Sequence, residues 1–247
     1  GTGNLSHSSG AAGNRTLSVT GNTSTGSYSG VISNGTATSV LLSKSGSGTL
    51  VLLGLNTYTG TTTINAGTLS ITTLENVSGG SSSLGAPTTV ANGTISLVSG
   101  TSVLKYTGSG HTSNRVIATT TDGSVIDASC TGTLTLTGGV TSGGGSDDLE
   151  LTGTGVGAMN SIIATAAGAL DKTGTGTWML GAANTYTGTT TVSAGTLEYG
   201  NANAILTGNV TVSGGTLDIK TFSDVVGTVT LSGGGTISGS GGVLSAS

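Results

Sequence analysis

Short runs of alternating apolar and polar residues recur along the chain, separated by corners rich in glycine and asparagine. In one run Leu69 and Ile71 share a face, and in another Leu217 and Ile219 do so. Because successive side chains of a strand point to opposite faces, each run predicts a short strand with one buried side. The purely apolar stretch 50–53 is far too short to span a membrane. The pattern therefore predicts an all-β protein without a transmembrane segment.

One segment of the chain occurs twice, at an offset of 128 residues and without a gap. Residues 44–69 read KSGSGTLVLLGLNTYTGTTTINAGTL, residues 172–197 read KTGTGTWMLGAANTYTGTTTVSAGTL, and 17 of the 26 positions are identical. We expect the shared lysine, glycines, asparagine and tyrosine to set the structure of the repeat. They are Lys44, Gly48, Asn56, Tyr58, Gly60 and Gly67 in the first copy and Lys172, Gly176, Asn184, Tyr186, Gly188 and Gly195 in the second.

A Gly-Thr-Leu signal within the repeat also recurs outside it, at a nearly constant spacing. Its glycines are 19 residues apart in the first copy and 19, 20 and 20 residues apart in the C-terminal half: Gly48 and Gly67, then Gly176, Gly195, Gly215 and Gly235. Solenoid coils built from short strands and tight corners take about 20–25 residues. Glycine suits such corners because it adopts positive φ or because the next coil's backbone lies against it.

The period predicts a single-stranded parallel β-helix, or β-solenoid, with about 10–12 coils. We expect one continuous domain over 1–247, with soft internal units at 1–100 and 101–247. Stacked coils would align the Gly-Thr-Leu steps in a column, with aliphatic side chains inside and Thr or Ser outside. The segment 101–170 has the loosest periodicity, and we interpret it as further coils with a turn or loop excursion.

Composition supports a folded chain with an unusually narrow core. The sequence contains 47 Gly but one Pro, one Trp and one Phe, and its net charge is −4. Disordered chains usually combine low hydrophobicity with high net charge, whereas this chain has a mean hydropathy of +0.24. With so few bulky side chains, stacking of coils is a better way to bury apolar area than a wide sandwich. The acidic balance argues against nucleic acid as a partner.

Both copies of the repeat resemble the autotransporter-associated β-strand repeat of bacterial passenger regions. The resemblance rests on the leading lysine, the Gly-x-Gly-Thr corner, the Asn-Thr-Tyr-Thr-Gly turn at 56–60 and 184–188, and Ala-Gly-Thr-Leu at 66–69 and 194–197. It implies a right-handed parallel β-helix, export from the cell, and a location that is extracellular or on the bacterial surface. It also implies a role as a stalk or an adhesive surface.

The acidic residues Asp147, Asp148 and Glu150 form the densest charged group. Carboxylates on a β-helix could serve polysaccharide cleavage, but no basic or aromatic sugar-binding residues lie nearby in sequence. The segment 143–151 also resembles a glycine-aspartate calcium repeat, yet it occurs once, with Glu150 where an apolar residue is required. A solvated turn is the interpretation that we favour. We therefore predict no catalytic residue, no cofactor and no metal site.

Histidine, cysteine and tyrosine are the other residue types that could serve catalysis, disulfide formation or ligand binding. His7 and His111 are isolated among small polar residues, which favours structural or exposed roles over a catalytic triad. Cys130 is the sole cysteine and shares parity with Ile126, so a buried thiol is favoured over an intermolecular disulfide. The repeated tyrosines could form a ligand-binding ladder, but each is expected to pack over its own corner.

Three functional hypotheses follow. The first is a non-enzymatic extracellular stalk, adhesin or matrix component that recognises a glycan or another surface ligand, if any, through its broad polar face. The second is a filament subunit that self-associates head to tail through open β-helix ends, because terminal coils without caps expose unpaired backbone groups. The third is a polysaccharide-active β-helix enzyme.

Overall fold

The computed structural model describes residues 1, 3–8, 12–21 and 23–247. Within them the chain forms short strands and one four-residue helix. In chain order these elements are β1 Leu5–Ser6, β2 Asn14–Thr20, β3 Thr25–Tyr28, β4 Ile32–Ser33, β5 Ser39–Ser45, β6 Thr49–Leu52, β7 Thr62–Ile64, β8 Gly67–Ile71, α1 Val90–Gly93, β9 Ile95–Leu97, β10 Ser102–Tyr106, β11 His111–Ser113, β12 Ile117–Thr119, β13 Ser124–Ala128, β14 Thr133–Leu136, β15 Val140–Ser142, β16 Leu149–Thr152, β17 Val156–Met159, β18 Ile163–Ala164, β19 Leu170–Lys172, β20 Thr177–Leu180, β21 Thr190–Val192, β22 Thr196–Tyr199, β23 Val210–Val212, β24 Thr216–Asp218, β25 Asp224–Val226, β26 Val229–Leu231, β27 Thr236–Ser238 and β28 Leu244–Ala246.

Parallel sheets surround one narrow core. The long sheet has the strand order β3-β6-β8-β10-β13-β16-β19-β21-β23-β26, the N-terminal sheet β2-β5-β7-β9-β12-β15-β18, and the C-terminal sheet β11-β14-β17-β20-β22-β24-β27. The pairs β1-β4 and β25-β28 add a short ladder near each end. Neighbouring strands are parallel in each sheet, and the chain stacks as a β-solenoid of about 11 turns. The predicted all-β parallel solenoid is confirmed.

The core is built from columns of inward-facing side chains. In the long sheet Leu50, Leu69, Leu104, Ile126 and Leu151 lie in register on successive strands. These side chains are buried, as the alternating pattern predicts. Each coil therefore buries its apolar face on the coils before and after it, and no coil could do so alone.

The single tryptophan is accommodated by a glycine on the preceding coil. Trp178 lies in register with Gly157 in the C-terminal sheet and is fully buried. A Cβ atom at Gly157 would stand 2.5 Å from the indole ring. The indole nitrogen donates to the carbonyl of Thr152 at 2.8 Å, so the ring is buried with its polar group satisfied.

The two copies of the repeat occupy different sheets. In the first copy, β5 and β7 belong to the N-terminal sheet and β6 and β8 to the long sheet. In the second copy, β19 and β21 belong to the long sheet and β20 and β22 to the C-terminal sheet. The second copy is therefore shifted by one sheet around the solenoid relative to the first copy. The expectation of a single Gly-Thr-Leu column is corrected: the steps align within each half but on different faces.

The main irregularity of the rod is an excursion at 72–94, which includes α1. Along the long sheet 35 residues separate the paired positions Leu69 and Leu104, whereas 22 separate Leu104 from Ile126. The segment 101–170 forms further coils, as expected, and its loop is only the exposed glycine-rich turn at 143–146. The loosest periodicity in the sequence therefore did not mark the largest departure from the coil.

Glycine at the corners meets both requirements that the sequence suggested. Gly195 has φ +62°, and a Cβ atom there would stand 2.3 Å from the carbonyl oxygen of Gly176 on the preceding coil. The equivalent Gly67 has φ +68° and a comparable contact at 2.5 Å with Gly46. The coils thus approach within backbone contact at these corners, where no side chain fits.

We predict that Gly195→Ala lowers the free energy of unfolding by more than about 2 kcal/mol, because it adds a backbone clash to a left-handed residue. Gly234→Ala isolates the conformational part, since Gly234 has φ +83° with open space around it, and should cost about 1 kcal/mol. Gly26→Ala meets neither obstacle and should cost nothing. Urea titration measures all three variants, and equal losses would contradict the role of coil contact.

Candidate functional site

The lysines of the repeat occupy inward-facing positions with aliphatic neighbours on the adjacent strands. Lys44 stands between Val19 and Ile64 in the N-terminal sheet. Lys172 stands between Leu151 and Val192 in the long sheet. Both side chains are fully buried, although lysine is among the residues least often buried. A specific arrangement of acceptors must therefore compensate for the loss of water.

Backbone carbonyls form a cage around each lysine ammonium group. Lys44 Nζ donates to the carbonyl oxygens of Ser45, Gly46 and Ala66 at 3.0, 2.8 and 3.0 Å. Three acceptors match the three donors of an ammonium group. The second copy reproduces this cage with the corresponding residues: Lys172, Thr173, Gly174 and Ala194. Because the alanine carbonyl belongs to the following coil, each lysine ties two consecutive coils together.

Burial shifts the proton equilibrium of both lysines. Desolvation lowers the pKa of Lys44, and it lowers the pKa of Lys172 to about 8, although the nearby Glu150 carboxylate opposes the shift. In the described residues neither lysine makes an ion pair. Carbonyl dipoles, rather than a carboxylate, are thus the main partners of the ammonium group.

The asparagine of each repeat copy lies between two strands and bridges the coils on either side of it. Asn56 Oδ1 accepts from the backbone N–H of Ile32 at 2.8 Å, and Nδ2 donates to the carbonyl of Ser83 at 2.7 Å. The side-chain amide therefore replaces a pair of ladder hydrogen bonds. The second copy makes the same bonds at 2.8 and 2.7 Å with Asn184, Ile163 and Ala204. There the asparagine contacts β18, the last strand of the N-terminal sheet.

The tyrosines of the repeat lie inside the corner. Tyr58 is fully buried and shares a 2.9 Å hydrogen bond with Thr62 Oγ1, and Tyr186 does the same with Thr190 at 2.8 Å. Burial raises the pKa of Tyr58 to about 12 and raises that of Tyr186 as well. Neither ring is accessible to a ligand, so the pair does not form an external ladder.

The acidic group at 147–150 is engaged by its own loop and the neighbouring coils. Asp147 is buried and accepts from Ser142 Oγ at 2.7 Å and from the N–H of Gly143 at 3.2 Å. Asp148 Oδ1 accepts from the N–H of Ala169 at 2.7 Å, while Glu150 accepts from the Thr173 hydroxyl. Each of the three carboxylates thus has its own hydrogen-bond donor in the turn or on a neighbouring coil. In the part of the chain that the structure describes, no cluster of three or more His, Cys, Asp or Glu side chains could hold a metal ion.

Two charged residues that the sequence did not single out are placed in notable positions. Asp171 lies in register with Glu150 on the neighbouring strand of the long sheet, and burial raises the pKa of Asp171. Arg115 is fully buried and donates to the carbonyl of Leu84 in the excursion at 2.7 Å, which fixes the excursion to the coil. Arg115 lies outside both matched repeats, and Asp171 replaces a serine of the first copy, so the repeat pattern did not identify either residue.

The two histidines and the cysteine each have local partners. His7 contacts Thr36 Oγ1 at 3.0 Å, and His111 contacts the Glu75 carboxylate at 3.0 Å. Cys130 is buried and its thiol donates to the carbonyl of Gly132 at 3.0 Å. Their contacts are those of structural residues.

The outward side of the long sheet carries a regular array of hydroxyl groups, which we call the hydroxyl face. Thr191, Thr211 and Thr230 lie in register on β21, β23 and β26. Neighbouring strands of a sheet are about 4.8 Å apart, so the three side chains form an evenly spaced row. The strands that carry them contain no charged residue. In the same register the row is preceded by Asp171, whose carboxylate hydrogen-bonds Thr191. The hydroxyls can offer weak hydrogen bonds to an extended polar surface.

Comparison with known proteins identifies the repeat. The sequence profile of the passenger-associated-transport-repeat family matches residues 42–71 and 170–198. The two matches contain the caged lysine, the bridging asparagine and the buried tyrosine of each copy, and they confirm the resemblance to autotransporter passenger repeats. A comparison with curated proteins gave no match, and neither did one with solved structures. None of the helical structure in the described residues is long and apolar enough to cross a membrane.

We predict that the free energy of unfolding rises by on the order of 2 kcal/mol between pH 8 and pH 10. In this window folded Lys172, with its pKa of about 8, has lost a proton that the unfolded chain still binds. Stability should then fall at higher pH, because buried Tyr58 keeps a proton that the unfolded chain releases. Denaturant titrations across this range measure both limbs.

Lys172→Met should reduce the rise to the part that Lys44 supplies, and the three carbonyls left without a donor should lower stability at pH 7. Lys105→Met is the matched control, since Lys105 is partly exposed and pairs with Asp127 outside the core. A full alkaline rise in Lys172→Met would show that the caged lysine is not its origin.

Proposed function

We propose that this chain is a rigid, non-enzymatic segment of a bacterial extracellular or surface protein, which acts as a stalk and as an adhesive surface. The passenger-type repeats and the β-solenoid support the first part, because such repeats occur in exported passenger regions. The hydroxyl face supports the second. It presents a row of threonines beside Asp171 on a stiff scaffold, to which an extended glycan or protein surface can bind through many weak contacts.

The observation that carries the non-enzymatic part is the engagement of the carboxylates. A glycosidase requires a pair of carboxyl groups that face the substrate. Asp147 is instead buried and hydrogen-bonded within its turn, and Asp148 and Glu150 accept from the neighbouring coil. Asp171, which lies in register with Glu150, is hydrogen-bonded to Thr191. The carboxylates that polysaccharide cleavage would require are thus used in hydrogen bonds that stabilise the fold.

Binding of the purified chain to immobilised glycans and extracellular matrix proteins tests the adhesive role. We expect binding to at least one surface, and a loss of at least tenfold in affinity when Thr191, Thr211 and Thr230 are replaced together by Ala. The control carries Thr57→Ala, Thr101→Ala and Thr121→Ala, which remove exposed hydroxyls outside the face. An equal loss in the control, or no binding to any surface, would contradict the adhesive role.

Release of reducing ends or unsaturated products from neutral and acidic polysaccharides tests the non-enzymatic part with the same preparation. We expect no turnover. Turnover that disappears when Asp147, Asp148 and Glu150 are replaced together by Asn, Asn and Gln would favour the carbohydrate-active alternative instead.

Head-to-tail assembly into a filament is a second candidate, favoured by the two ends of the described rod. An opening of about 170 Å³ at one end is lined by core residues that include Leu17, Ile32 and Val40. An opening of about 390 Å³ at the other end is lined by Ile219 and Ile237, among others. A second copy stacked on either end would continue the inward columns and pair the open sheet edges.

Sedimentation and negative-stain micrographs of the chain at increasing concentration test this assembly. We expect rods longer than one chain, which are shortened by Ile237→Lys because a charge would enter the covered opening. Val90→Lys is the matched control, since Val90 is exposed on α1 along the side of the rod. Discrete monomers at every concentration would exclude the filament.

A further inference from the structure

The excursion at 72–94 forms a polar cleft along the side of the described rod. The cleft has a volume of about 290 Å³ and lies between the excursion and the outward side of the N-terminal sheet. Thr88 and Asn92 line it from the excursion, and Asn14, Thr59 and Thr61 line it from the coils. Loops held on a rigid scaffold are where binding sites most often form. The regular coils elsewhere offer flat surfaces, whereas this position is concave.

The lining of the cleft is polar and uncharged. Seven of its nine residues carry a hydroxyl or an amide, and the other two are Leu41 and Gly60. Hydroxyls and amides both donate and accept hydrogen bonds, as the hydroxyls of a sugar do. Thr59 is held in place by Asn34 Nδ2, which donates to its Oγ1 at 2.9 Å. Leu41 supplies one apolar contact for the C–H face of a ring.

We infer that this cleft binds one neutral sugar unit, either free or at the end of a glycan chain. An ionised ligand is disfavoured because no charged side chain lines the cleft, and a purely apolar ligand would leave its hydroxyls and amides without partners. The site is separate from the hydroxyl face, so either proposal can fail while the other stands.

Saturation-transfer NMR on the whole chain tests the site with glucose, galactose and N-acetylglucosamine, and with glucuronate and glucosamine as charged counterparts. We expect transfer to at least one neutral sugar and at least tenfold weaker binding of the charged ones. Thr88→Trp should abolish the transfer by filling the cleft from the excursion. Thr121→Trp places the same side chain at an exposed threonine elsewhere and should leave it unchanged.

The inference is overturned if no neutral sugar shows transfer, if a charged sugar binds more tightly, or if transfer persists in Thr88→Trp.

Discussion

Backbone contact between successive coils is the constraint on which the rest of this structure depends. Each coil supplies only a few buried aliphatic side chains, so it is stable only when its strands pair with the coils on both sides. Pairing at strand distance leaves no room for a Cβ atom at the tight corners. At Gly195, for example, such an atom would stand 2.3 Å from the neighbouring carbonyl. The glycine content of the chain is therefore a consequence of the stacking.

Where the strands stop, side chains take over the hydrogen bonds between coils. Lys44 collects two carbonyls of its own corner and a third from the next coil. Asn56 accepts from one neighbouring coil and donates to the other. A corner would otherwise leave these backbone groups buried without partners, at a cost of about 1–3 kcal/mol each. The two side chains that look most like functional residues in the repeat are thus parts of its backbone hydrogen-bond network.

The period and the alternation in the sequence were sufficient to predict the parallel solenoid, because both report local geometry that every coil repeats. They could not predict that the copies lie on different faces, since the coils between them determine the phase and the two copies read alike. The carbonyl cage could not be predicted from sequence either, because its third acceptor, the carbonyl of Ala66 or Ala194, follows the lysine by 22 residues. The glycine-rich turn at 143–146 suggested a loop, whereas the longer excursion at 72–94 contains apolar residues that pack on the rod. Leu74 and Leu84, for instance, are both fully buried.

The change of face has a consequence for what the molecule can present to a partner. A solenoid whose repeats stayed in phase would carry the same surface along one side over its whole length. Here the first copy lies in the N-terminal and long sheets, whereas the second copy lies in the long and C-terminal sheets. The hydroxyl face belongs to the second half of the chain. The excursion and its cleft belong to the first half. Because the interior is occupied by the cages and bridges of the repeat, only outer features such as these are open to a partner, and they differ between the two halves.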